Sequence, residues 1–120
     1  MKKVEYPQTK FSEDEKEILC DFLYYHCETC LEEGEPPPNL KIINFLLDNG
    51  AGVDTCDGNF RTVLSRLCED DRNIEAVKLL IKRGADLYQV NDNDESPLDI
   101  AKEHKSKKIL RYLRRERYER

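Results

Sequence analysis

At 120 residues the chain is long enough for one modest hydrophobic core and too short for two. Charged and hydrophobic residues each make up 38%, with ten aromatics and no tryptophan, a balance too apolar for a disordered chain and too charged for a bilayer protein. The formal net charge of −5 is unevenly divided: residues 101–120 hold nine Lys or Arg against three acids, and residues 1–100 hold eleven against twenty-two. Such a dipolar chain says more about partners than about fold.

The longest uninterrupted apolar runs are only a few residues, such as Leu79-Leu80-Ile81, so no segment is expected to span a bilayer. Two lysines follow Met1 without an apolar stretch after them, so no secretory signal is expected. Five cysteines, an odd number without framework spacing, point to a reducing, cytoplasmic setting.

Residues 1–11 lack periodicity and contain Pro7, so a flexible arm is expected ahead of a single domain over 12–120. Ser12-Glu13-Asp14-Glu15 is a capping box with three acids in the first turn. Apolar residues follow at Ile18, Leu19, Phe22, Leu23, Cys27, Cys30 and Leu31, the spacing of a helix buried on one broad face and stopped by Gly34 and Pro36-Pro37-Pro38. Asn39 is a cap for a second helix, whose apolar set is Leu40, Ile43, Leu46 and Leu47 and which ends at Gly50.

Residues 51–61 are rich in Gly, Asp and Asn, with Asp57-Gly58 as a turn signal. A short helix is expected over 62–68, then a polar break, then a helix over 73–83 with Ile74, Val77, Leu80 and Ile81 on one side. After the polar stretch 89–95, Ser96-Pro97 opens another helix running to about His104. A last helix from about Ser106 carries Ile109, Leu110, Tyr112 and Leu113. No strand-like alternation of useful length appears, and the fold class is all-α.

Sliding the chain by 34 residues aligns 43–51 with 77–85 and Thr62-Val63-Leu64 with Ser96-Pro97-Leu98, so a helix–turn–helix plus loop is used more than once. On these residues the chain resembles the ankyrin repeat family. Ile81-Lys82-Arg83-Gly84-Ala85-Asp86-Leu87 is close to that family's outer-helix ending, and Ser96-Pro97-Leu98-Asp99-Ile100-Ala101 is similar to its inner-helix start. The family's loop glycine is replaced by Phe60 and Asp94, its proline by Val63 in the middle repeat, and its histidine by Ser65 and Asp99. The resemblance implies a short solenoid of stacked antiparallel helix pairs joined by hairpin-like turns. Its parts are a divergent first pair (12–50), a middle repeat (57–84), a C-terminal capping repeat (91–115) and a basic tail (116–120). Each pair has one apolar face that it cannot bury alone, so the pairs must stack.

Metal chemistry is not expected: Cys20, His26, Cys27 and Cys30 all fall on one helix, whereas a structural zinc needs four ligands in tetrahedral array. Buried helix cysteines are the expectation, and no cofactor is assigned. His26 and His104 lie far apart with no nucleophile at a recognisable spacing, and no glycine-rich phosphate loop is present, so the chain reads as non-catalytic.

In an ankyrin-like stack the loop tips and inner helices form a concave surface. The resemblance places there Asn59, Phe60, Arg61, Glu69, Asp70 and Asp71 from the middle repeat, with Asp92, Asn93, Glu95, Glu103 and His104 from the last. That surface is mostly negative, so the expected function is non-catalytic binding of another protein with a basic surface, by a chain monomeric on its own. Two alternatives stand beside it. One is a small inhibitor or immunity-type protein masking a basic effector such as a nuclease. The other is contact of the basic C-terminal helix with nucleic acid or lipid, against which the acidic remainder would repel phosphate.

Overall fold

Six helices among the described residues pair and stack. The computed structural model describes residues 12–119, with side chains through Glu116; the expected arm at 1–11 lies outside the described residues, as does Arg120. The helices are α1 (Glu13–Thr29), α2 (Leu40–Asp48), α3 (Val63–Leu67), α4 (Ile74–Lys82), α5 (Pro97–Glu103) and α6 (Lys107–Glu119), with a 3₁₀ turn over Asp71–Asn73 ahead of α4. Among the described residues there is no strand, and one isolated bridge joins Cys56 and Thr62 across the loop before α3.

Helix starts follow local chemistry. Ser12 and Glu15 complete the expected capping box, and Asn39 accepts from the N–H groups of Lys41 and Ile42. Ser96 and Asp99 form a second capping box ahead of Pro97, so the residue standing at the family's histidine position closes its own helix start instead. Helix ends at 48 and 82 close on a left-handed glycine. Gly50 (φ +109°) and Gly84 (φ +94°) donate to Leu47 and Ile81, and the next N–H groups, of Ala51 and Ala85, reach Leu46 and Leu80.

The odd helices α1, α3 and α5 line one side and pack in sequence, α2, α4 and α6 do the same on the other, and each odd helix packs on the even helix that follows it. Between the two rows runs a continuous core built from Leu23, Ile43, Val63, Leu64, Leu67, Val77, Leu80, Ile81, Ile109 and Leu113, all almost fully buried. Units are also tied by polar bonds across the repeat spacing. Arg83 pairs with Asp48 at 2.7 Å, the Asp86 N–H donates to Asp54 Oδ1 at 2.8 Å, and the Tyr24 hydroxyl donates to Asp57 Oδ2 at 3.1 Å.

Two expectations need correction. The first helix ends at Thr29, before Gly34 and the prolines, because Cys30 caps it and Leu31 and Glu32 already donate in tight turns. Its buried face is narrower than expected: Leu19, Leu23, Cys27 and Cys30 are inside, but Ile18 and Phe22 are 55% and 59% exposed, and Leu40 on α2 is also exposed. Residues 116–119 continue α6, which runs to Glu119.

Candidate partner-binding groove

Two hairpin-like loops, 55–62 and 89–96, project beside the N-termini of α3 and α5, and each is folded by one side chain. Asp57 accepts from the N–H groups of Asn59 (2.8 Å) and Arg61 (3.0 Å), from Arg61 Nε (2.9 Å) and from the Tyr24 hydroxyl. Burial disfavours its charge, but these donors outweigh that and hold its carboxyl below the usual carboxylate range. The Tyr24 phenol is pushed well above its ordinary value, by burial first and by the Asp57 carboxylate second.

Asn91, 34 residues on, does the same work: its Oδ1 accepts from the N–H groups of Asn93 (2.9 Å) and Glu95 (3.0 Å), and its Nδ2 donates to Glu95 Oε1 at 3.1 Å. Glu95 is held below the usual carboxylate range, chiefly by that amide. The Asp92 N–H donates to the Asn59 carbonyl at 3.0 Å and locks one loop to the next. Phe60 and Asp94 have φ near +60°, so the two residues replacing the family's loop glycine keep the left-handed conformation that glycine adopts without steric cost.

Below the loops lies a groove of about 480 Å³ that gathers eight of the eleven candidate residues: Asn59, Arg61, Glu69, Asp92, Asn93, Glu95, Glu103 and His104. Arg66, Asn91 and Ile100 complete its lining. Four carboxylates face two guanidinium groups there, and both guanidinium groups are engaged: Arg61 by Asp57, Arg66 by Glu69 at 2.8 Å and by Glu28 at 3.4 Å. His104 Nε2 stands 3.9 Å from Glu69.

The other three candidates do not line the groove. Phe60 is 58% exposed on the loop tip and fills no core space. Asp70 caps the 3₁₀ turn, accepting from the Arg72 N–H at 2.9 Å. Asp71 accepts from the N–H groups of Lys108 and Ile109, both at 3.1 Å, and thereby caps α6. Sequence spacing gave no hint of that role, because the bond crosses 37 residues.

The cysteines sit as core or loop residues. Burial, with Cys30 adjacent, pushes the Cys27 thiol up to about 12, and burial likewise raises Cys68. Among the described residues no group of three or more His, Cys, Asp or Glu is arranged to hold a metal ion, and no helix is long and apolar enough to cross a membrane.

Paired helices stacked in register, left-handed closures and projecting loops define a helical-repeat protein. A family model for ankyrin repeats in three copies matches residues 35–119, and the chain belongs to the ankyrin repeat family. The match begins after α1, the divergent helix. Ankyrin repeats are generally protein–protein interaction modules.

Proposed function

We propose that this chain is a stoichiometric docking protein that holds a partner with a basic surface in the groove beneath its two loops. The observation that carries this reading is the charge of a preformed groove: Asp92, Glu95 and Glu103 line it beside the Glu69–Arg66 pair, and its other arginine, Arg61, is engaged by Asp57. Such a rim raises association rates for a cationic partner, and it does so through a field that salt screens. Loops pinned by Asp57 and Asn91 lose little freedom on binding, which favours affinity at modest contact area. Phe60, exposed beside the groove, supplies the aromatic anchor that interface centres favour.

Docking without chemistry is the whole mechanism. In its narrower form the chain is an inhibitor, because a partner such as a nuclease binds its own anionic substrate through the basic patch that this groove would cover. A photo-crosslinking benzoylphenylalanine at position 60, compared with one at Arg111 on the last helix, tests the reading. Crosslinks to one cationic protein from position 60 alone support it; crosslinks from Arg111 alone, or to nucleic acid, refute it.

A further inference from the structure

A second surface, remote from the groove above, is apolar. Between α1 and α2 runs a groove of about 510 Å³ whose walls include Phe22, Tyr25, Ile42 and Phe45, with Leu19 and Leu46 of the core at its base. Phe22, Tyr25 and Phe45 are each about 60% exposed (59%, 66% and 59%), and Ile18 continues the stripe. These are large side chains to leave in water together, and exposed apolar patches of this kind mark interaction sites.

The geometry says what shape fits. Cys20 and Tyr24 of α1 face the loop that leads into the middle repeat, through bonds to Gly52 and Asp57, so Phe22 lies on the far side, and Tyr25 stands between the two faces, bordering that loop as well as the groove. Elsewhere in the molecule the groove between one helix pair is filled by helices of the next: α3 and α4 on α1 and α2, α5 and α6 on α3 and α4. The groove between Phe22 and Phe45 is the opposite face of the α1–α2 pair, corresponding to the side by which α3 and α4 receive α1 and α2, and its wall from Phe22 to Thr29 extends about 10 Å at 1.5 Å per residue, two turns of an occupant helix.

Charge selects the occupant. Asp14, Glu17 and Asp21, all exposed, flank the stripe along α1, Glu32 and Glu33 follow in the loop beyond it, and Lys41 on α2 stands against these five acids. A second copy docking by the same face would set these carboxylates against their own kind, and a phosphate-bearing surface would be repelled. We propose that the α1–α2 groove is a second docking site, which takes an amphipathic helix of a partner protein whose apolar stripe is flanked by lysine or arginine.

The test is a titration of the isotopically labelled full chain with a 14-residue leucine/lysine amphipathic helix, against a leucine/glutamate peptide with the same apolar stripe. Amide shifts should map to Phe22, Tyr25, Ile42 and Phe45, and the lysine peptide should bind at least tenfold tighter than the glutamate one. Phe22→Ser with Phe45→Ser, which removes exposed rings and keeps every charge, should weaken the lysine peptide at least tenfold while leaving the circular dichroism unchanged. Asp14→Lys with Asp21→Lys should reverse the peptide preference. The proposal is overturned by shifts confined to Glu69, Glu95 and Glu103, by equal affinity for both peptides, by no binding at all, or by a dimer in sedimentation that Phe45→Ser dissolves.

Discussion

Replacing Gly84 isolates backbone strain from packing. Gly84 follows Arg83, the C-cap of α4, at φ +94°, and the bonds from Gly84 to Ile81 and from Ala85 to Leu80 (both 3.0 Å) depend on that turn of the chain. A Cβ at this position meets no atom within 4 Å, so nothing has to move to make room. The cost is therefore conformational: about 1–2 kcal/mol for forcing an L-residue into the left-handed region, offset in part by about 0.4–1 kcal/mol from the stiffer unfolded chain. Gly84→Ala should lose about 1 kcal/mol, and Gly84→Val more because its β-branch restricts the site further. At about 4 °C per kcal/mol for a domain near this size, Gly84→Val should melt at least about 4 °C below the parent. Thermal melts followed at 222 nm, with urea titrations at constant slope, read the difference. A Gly84→Val protein that melts with the parent would refute both the closure of α4 and its energetic weight.

Phe60 offers the reverse experiment: with φ at +60° and its ring mostly in water, Phe60→Gly should leave stability equal or raise it by up to about 1 kcal/mol, yet weaken partner binding. A melt and a biosensor trace on the same variant check the two halves. Asp71→Ala should destabilise by about 1 kcal/mol through loss of the α6 cap, with no change in partner association rate, because its carboxylate serves Lys108 and Ile109 instead of the groove. His26 Nε2 accepts from the Asn39 N–H at 2.9 Å, and burial lowers its pKa from the ordinary 6.5, so the folded state holds it neutral. The unfolded chain then takes up the proton first, and stability that is full above about pH 6.5 declines as the pH falls from there toward the lower folded value. Melts at pH 7.5 and 5.5 should show a smaller loss in His26→Gln, which keeps an acceptor without titrating.

Much of the fold was legible because helix boundaries here are written in local chemistry. Ser12, Asn39 and Ser96 cap by bonds to residues within one turn, and Gly50 and Gly84 close by the same rule at the same repeat spacing. Eight groove residues were legible for the same reason, since a repeat in register fixes which loop positions face one side. What escaped depends on contacts distant in sequence. Asp71 looked like one of several loop acids until α6 arrived above it. Ile18 and Phe22 looked like core because hydrophobic spacing marks a face without saying whether anything covers it. One signal was available: Ile18, Phe22 and Tyr25 form a second stripe beside Leu19, Leu23 and Cys27, wider together than one neighbouring pair can bury.

The central claim, that the acidic groove carries binding, is tested most directly by association kinetics across a salt series with the partner identified by crosslinking. Three proteins are needed: the parent, a groove variant with Glu69, Glu95 and Glu103 changed to lysine, and an end-cap variant with Arg111 and Arg114 changed to glutamate. The account predicts that the parent and the end-cap variant associate at similar rates that fall with salt, while the groove variant associates slowly and is nearly insensitive to salt. A groove variant that matches the parent while the end-cap variant fails would contradict the account and move the binding site to α6.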